Sequence, residues 1–311
     1  MLNEFKYADL LNDDVFKLVF GQESSKDVMI EFLNQVIDDR NIVDLEFMDK
    51  EMKSIERENK DSIYDMFCKT DDGSRIVVEV QRRKQNTYVE RTIYYSTFQV
   101  RNQVAVSSAD YAFCPVYVIN ILDFNIDENR GNPEVKTVFR LHEEKTHAML
   151  TDKLTFIFLE LGKFKKGIED LDGDVLEGMY FCFKNMARLD ACPQVLTHEV
   201  FQKMFTVSEL LKMDENTRSK VIEKMTTERD LRNQMAYARQ VAIEEGLAEG
   251  RARGQAEGLA EGLAEGRAEG RAEGRAEGQK EKALEIAKKL LVAGYSKEVI
   301  VEMTGVSVDE I

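Results

Sequence analysis

The sequence predicts a mixed α/β domain, a sheet flanked by helices, followed by a helical C-terminal extension. Three observations carry that prediction. Over residues 1–165 the hydrophobic spacing reads in turn as helix, strand, hairpin, helix and strand. Residues 166–240 show several helical stretches and no convincing strand. Residues 246–278 repeat with a period of four, as in Ala-Glu-Gly-Arg at 268–271 and again at 272–275. The predicted organisation is a sheet domain over 1–165, a helical extension over 166–245, a repeat helix or linker over 246–280 and a small helical tip over 281–311.

Asp14 to Phe20 and Val28 to Ile37 have helical spacing, the second with Phe32, Leu33, Val36 and Ile37 on one apolar face. Ile42 to Met48 alternates and predicts a strand that buries Val43, Leu45 and Phe47 or the opposite set. Ser62 to Lys69 and Arg75 to Gln81 flank Asp71-Asp72-Gly73, and an Asp-Gly pair between β-branched and aromatic runs predicts a hairpin. Tyr88 to Val106 reads as a helix with Ile93, Phe98 and Val104 among its apolar residues. Pro115 to Leu122 is continuously apolar, as a buried central strand requires. Thr137 to Leu141 and Leu154 to Leu161 are further strands, and Gln194 to Phe205, Val207 to Met213 and Asn216 to Ala242 are helices.

In the repeat each interior glycine costs about 1 kcal/mol of helix propensity relative to alanine. Glu265, Glu269, Glu273 and Glu277 stand four apart, as do Arg267, Arg271 and Arg275, so like charges stack on an isolated helix while opposite charges do not pair. Two such helices side by side could pair a Glu row with an Arg row, which points to a homo-oligomer. A solvated helical linker and a product of repeat slippage are the alternatives. Glu281 to Ala293 is amphipathic through Leu284, Ala287, Leu290 and Leu291. Gly294 then reads as a C-cap and Ser296 as the N-cap of Lys297 to Met303. Helix, turn and helix could form a small DNA-reading module, but the last helix is not basic, so a docking or oligomerisation tip is an equal reading.

Composition narrows the function. The chain has 311 residues and a formal net charge of −15, which argues against generic nucleic-acid binding. It contains no apolar run long enough for a membrane span, and Met1-Leu2-Asn3-Glu4-Phe5-Lys6 does not read as a signal peptide. Cys68, Cys114, Cys182 and Cys192 lie far apart without metal-site spacing, as expected for a reduced, cytoplasmic protein. His142, His147 and His198 show no ligand spacing either.

Two acids interrupt apolar strands: Asp65 in Ile63-Tyr64-Asp65-Met66-Phe67, and Glu79 in Val77-Val78-Glu79-Val80-Gln81. They are equidistant from Asp72, so a hairpin in register sets them opposite one another on one face. Opposed carboxylates repel unless protonated or bridged by a cation. With a backbone carbonyl such as that of Val80 they make an oxygen site suited to Mg²⁺ or Mn²⁺. Gln81 shares the Glu79 face and could orient a water or a phosphate oxygen. The alternative is an exposed hairpin face bearing solvated acids. Arg82, Arg83, Lys84 and Arg91 follow and form a local basic patch that screening isolates from the global charge. Tyr88, Tyr94 and Tyr95 could stack on bases or belong to the core.

An acid on one strand, a hairpin, Glu-x-Gln on the next strand and then a helix resembles the PD-(D/E)XK nuclease core, a restriction-endonuclease-like fold. Asp14, Phe16-Lys17, Phe20-Gly21, Asp65, Val78-Glu79-Val80-Gln81, Arg91, Tyr94-Tyr95 and Leu159-Glu160-Leu161 together resemble the recombination-promoting nuclease / putative transposase family. The resemblance spans nearly the whole chain. It implies Asp65 and Glu79 as metal ligands, Gln81 in the place of the usual lysine, and metal-assisted hydrolysis of DNA phosphodiesters in recombination or mobile-element biology. Asp14 aligns with an acid near the family's start and is either a further ligand or a helix N-terminal acid. Tyr64 stands where the namesake proline would be, and Gln81 supplies no positive charge. The competing expectation is a catalytically weak or inactive DNA-binding and assembly protein that oligomerises through its repeat.

Overall fold

The computed structural model describes residues 5–48, 51–52, 62–104 and 110–311. They form two compact units, Met1–Asp230 and Leu231–Ile311. Helix α1, Asp13–Phe20, starts because the Asn12 side chain accepts from the amides of Asp14 and Val15. It buries Val15, Phe16, Val19 and Phe20, each such side chain contributing about 1.5–3 kcal/mol. Helix α2, Lys26–Val36, packs its Phe32 edge-on to Phe20. Strands β1 (Leu45–Phe47), β2 (Glu51–Met52), β3 (Ser62–Ile63), β4 (Met66–Thr70) and β5 (Arg75–Gln81) follow. Helix α3, Tyr88–Arg101, leads into β6 (Val116–Leu122), β7 (Lys136–His142) and β8 (Met149–Glu160). Helices α4 (Val175–Asn185), α5 (Glu199–Ser208), α6 (Glu215–Val292) and α7 (Lys297–Thr304) complete the chain.

Six strands form one sheet in the order β1-β4-β5-β6-β8-β7. The three central strands, β5, β6 and β8, run parallel, and the flanking pairs are antiparallel. A central parallel strand is covered on both faces, and β6 accordingly is buried at every position. One face of β5 sends Ile76, Val78 and Val80 into the main core with α1, α2, α4 and α5. The other sends Val77 towards Tyr64, Phe67, Val116 and Val118, with Tyr95 of α3 packed against them. The mixed sheet and its flanking helices are those the sequence predicts.

Several details differ. The predicted hairpin is shorter: Ser62–Ile63 pairs instead with Glu51–Met52 in a separate two-stranded ladder, because the chain turns away from β5 at Tyr64 and Asp65. The strand predicted over Ile42 to Met48 is reduced to Leu45–Phe47, and Val43 is exposed. Helix α3 ends at Arg101, short of the expected Val106, which lies outside the described residues. Helix α4 was not singled out by periodicity, since six of its residues from Gly178 to Phe183 are buried in succession and leave no polar stripe to set a period.

In the second unit α6 continues through the whole repeat to Val292. A methyl group added at any of the nine glycines from Gly246 to Gly278 would meet nothing within 4 Å. Beyond it, Ala287, Ile300 and Val306 form a small core of their own. Gly305 closes α7 at φ +71°, a backbone conformation that side chains with a Cβ rarely adopt.

Candidate active site

Strand β4 stops while β5 still runs, and the site is built on that difference. Met66 pairs with Val78 and Phe67 with Val77, a register that ends one step before Asp65 and Glu79, the two acids equidistant from Asp72. There the Asp65 side chain takes over from the backbone: the Val80 N–H donates to Asp65 Oδ2 at 2.7 Å. Glu79 lies on the Val77 face by strand alternation, in parallel register with Asn120 of β6. Neither acid is solvated, with Asp65 9% and Glu79 5% exposed, so the reading of an exposed hairpin face does not hold.

Burial pushes the Asp65 carboxyl above its ordinary range, and the charge of Asp13 adds to the rise. The Val80 amide and Lys17, whose Nζ lies 3.7 Å from Oδ1, oppose it. Glu79 is pushed up to about 8, first by burial and then by the charge of Asp65, with Arg91 and the Gln81 amide acting the other way. Glu79 Oε1 is buried and has no hydrogen-bond partner among the described residues. A buried acceptor left without a donor costs about 1–3 kcal/mol, and more when charged. Two adjacent carboxylates, one with an unsatisfied oxygen, suit a hard divalent cation bound through oxygen. Among the described residues no group of three or more His, Cys, Asp and Glu side chains is placed to hold a metal.

The other expected residues are distributed around this pair. Asp14 forms an ion pair with Lys224 of α6. The acid of α1 whose charge acts on Asp65 and Glu79 is Asp13. The sequence resemblance points to Asp14 alone; with Asn12 as the cap, Asp13 and Asp14 both lie in the first turn, about 100° apart. Arg82 bonds Asp9 and the Leu11 carbonyl, Arg83 makes two 2.8 Å bonds to Glu228, and Lys84 bonds Asp127. Arg82 and Arg83 line a cleft of about 540 Å³ with Asp13, Val80, Gln81 and Lys224. Arg91 lies over the rings of Tyr88 and Tyr95 at 5.0 and 5.8 Å. Tyr88 is a core residue whose hydroxyl donates to Asn120 Oδ1 at 2.7 Å, while Tyr94 is 39% exposed.

Two polar residues of this region gave little signal in sequence. Asn120, beside Glu79 in the β5–β6 register, is fully buried and also accepts from Thr92. Its one signal is being the only polar residue in the Val116–Leu122 run. Glu160 at the end of β8 is equally buried, but the Ile126 amide, Asn129 and Lys163 all donate to it. It ties down the segment after β6, and both of its oxygens are engaged by protein donors.

Residues 10–238, about three quarters of the chain, match the family model described as PD-(D/E)XK nuclease family transposase. Residues 280–311 match that of the C-terminal helix-turn-helix domain of the Rpn/YhgA-like nuclease family. No curated protein and no solved structure gives a significant match. Among the described residues no helix is long and apolar enough to cross a membrane. With its mixed six-stranded sheet, its acid pair at the end of β4 and β5 and its helix-turn-helix tail, the chain belongs to the PD-(D/E)XK nuclease family of transposases.

Proposed function

We propose that the protein is a metal-dependent DNA endonuclease that hydrolyses phosphodiesters in recombination or mobile-element biology. Family membership supports a nuclease role. The observation that carries the finer reading is the buried pair Asp65 and Glu79, with Glu79 Oε1 left unsatisfied. Asp65, Glu79 and the Val80 carbonyl would hold the cation. Strand geometry sends the Val80 carbonyl to the same side as its N–H, beyond the end of β4. A Mg²⁺ or Mn²⁺ ion, when bound, supplies Lewis acidity towards a phosphodiester and lowers the pKa of water. The Val80 amide and Lys17 favour the Asp65 anion against the burial that raises its pKa. Gln81, on the Glu79 face of β5, orients the attacking water through its amide. Arg83 and Lys84 contact DNA backbone after exchanging Glu228 and Asp127 for phosphate, and Arg82, anchored to Asp9, shapes the cleft wall.

The test is plasmid nicking with Mg²⁺ and with Mn²⁺, wild type beside Asp65→Ala and Glu79→Gln. Nicking by the wild type alone is expected, both variants falling to background while keeping their fold by circular dichroism. Equal nicking by Asp65→Ala would sink the proposal. In the same assay Gln81→Lys should nick at least as fast as wild type, and its inactivity in a folded protein would give Gln81 a different role.

A further inference from the structure

Strand β5 supplies no cation at position 81, where the family's motif has lysine and this chain has Gln81. The basic side chains nearest the acid pair are mostly engaged: Lys17 by Asp65, Arg82 by Asp9, Arg83 by Glu228 and Lys224 by Asp14. Arg91 differs. Its Nη1 donates to Gln85 Oε1 at 2.9 Å, and the guanidinium lies over two tyrosine rings. Its Nη2 is buried and has no hydrogen-bond partner among the described residues. Glu79 stands in register with Asn120, which accepts from the Tyr88 hydroxyl, and Tyr88 is the ring beneath the guanidinium; Arg91 and Glu79 form no ion pair among those described. A buried donor and a buried acceptor, both without a hydrogen-bond partner among the described residues, are thus linked through Asn120 and Tyr88.

The support beneath Arg91 is hydrogen-bonded to the sheet. Tyr88, one helical turn before it, is fixed by Asn120, whose Nδ2 in turn donates to the Ile157 carbonyl at 3.2 Å. Asn120 and Tyr88 are thus positioning residues that tie the guanidinium platform to the centre of the sheet. Leaving an N–H of a charged group dry costs free energy, and a donor fixed in advance where charge develops recovers that cost in the transition state.

We propose that Arg91 is the side-chain cation that acts beside the metal ion, its free Nη2 donating to the scissile phosphate in the place of the missing strand lysine. The inference rests on the phosphodiesterase reading above. In the step, a water oxygen forms a bond to phosphorus as the P–O bond to the leaving sugar oxygen breaks. One water proton passes to solvent, and the leaving oxygen takes one up from solvent. Arg91 keeps its protons throughout and acts through charge and N–H donation.

The experiment separates this role from DNA gripping and from structure. In Arg91→Gln, kcat for nicking should fall about 100- to 1,000-fold, the usual loss for one such donor. DNA affinity, measured with Ca²⁺ in place of Mg²⁺, should change less than about 3-fold, with the salt slope unaltered and the melting temperature retained. Adding Gln81→Lys to Arg91→Gln should restore at least about 10-fold of the lost rate. Should Arg91→Gln unfold, Arg91→Lys carries the comparison, since it keeps the charge but loses the fork and should lose less. An intact rate in Arg91→Gln overturns this inference alone. So does a loss seen only in affinity with a shallower salt slope, which would make Arg91 a backbone contact. A wild type that binds metal without nicking overturns the phosphodiesterase reading and this inference together.

Discussion

At the scale of single residues, Glu79 carries the clearest trade of stability for chemistry. A carboxyl whose folded-state pKa is about 8, against 4.5 in the unfolded chain, binds a proton more tightly when folded. Its burial therefore costs nothing below the unfolded value, costs progressively more as pH rises from 4.5 towards 8, and reaches its full cost above that. A shift of this size corresponds to on the order of 3–5 kcal/mol, most of it desolvation. Glu79→Gln keeps the shape and removes the charge. Without divalent cation the variant should melt with wild type near pH 4.5 and above it near pH 8.5, by scanning fluorimetry in chelator. Added Mg²⁺ should reverse the order at high pH, because a ligand stabilises only the state that binds it. Equal melting at both pH values would show that Glu79 is paired or solvated in solution.

At the scale of elements, the first turns of α6 pack on the cleft that Gln81 and Asp13 line. Val221 and Met225 anchor them in the core, while Lys224 and Glu228 reach Asp14 and Arg83. Both ion pairs are partly exposed and contribute no more than about 1 kcal/mol each. Their effect falls on binding, since Glu228 occupies the guanidinium that a DNA phosphate would use. Glu228→Gln should therefore tighten DNA binding several-fold and steepen its salt dependence by about one phosphate, with stability within about 0.5 kcal/mol of wild type. Weaker binding by Glu228→Gln, measured by fluorescence anisotropy, would mean that Arg83 needs its acid in order to be placed. These α6 contacts join residues more than 140 apart, and local spacing holds no trace of them. The acid pair was legible for the opposite reason. A tight turn at Asp71-Asp72-Gly73 fixes the register locally, so Asp65 and Glu79 could be matched by counting. The same counting failed at Ser62–Ile63, because nothing in the sequence marks the residue at which a strand leaves its partner. Asp14 came forward by resemblance to an acid near the family's start, and a resemblance at one position says nothing of Asp13, which lies about 100° round the same first turn.

At the scale of the whole molecule, the long repeat is an element without enough internal reason to be a helix. Nine interior glycines cost roughly 7–9 kcal/mol relative to alanine, and the rows of like charge four residues apart add to it. Among the described residues nothing offsets this: the segment from Gly246 to Glu277 is exposed throughout, including Leu259 at 67% and Leu263 at 53%. A second copy could offset it. Glycine permits close approach of backbones, the exposed leucines give an apolar seam, and the Arg row at 267, 271 and 275 matches the Glu row at 265, 269, 273 and 277. Self-association must also overcome the net charge of −15 on each chain, so paired rows rather than bulk attraction have to supply the specificity. Cutting the chain before Gly246 should lower the mass per particle in light scattering while leaving metal binding at Asp65 and Glu79 intact. That cut also removes the helix-turn-helix tip. A full-length variant with Arg267, Arg271 and Arg275 all changed to Glu isolates the rows: it should dissociate as the truncation does, and lose helix by circular dichroism. A particle mass unchanged by both alterations would leave the repeat as a solvated linker between the nuclease unit and the tip.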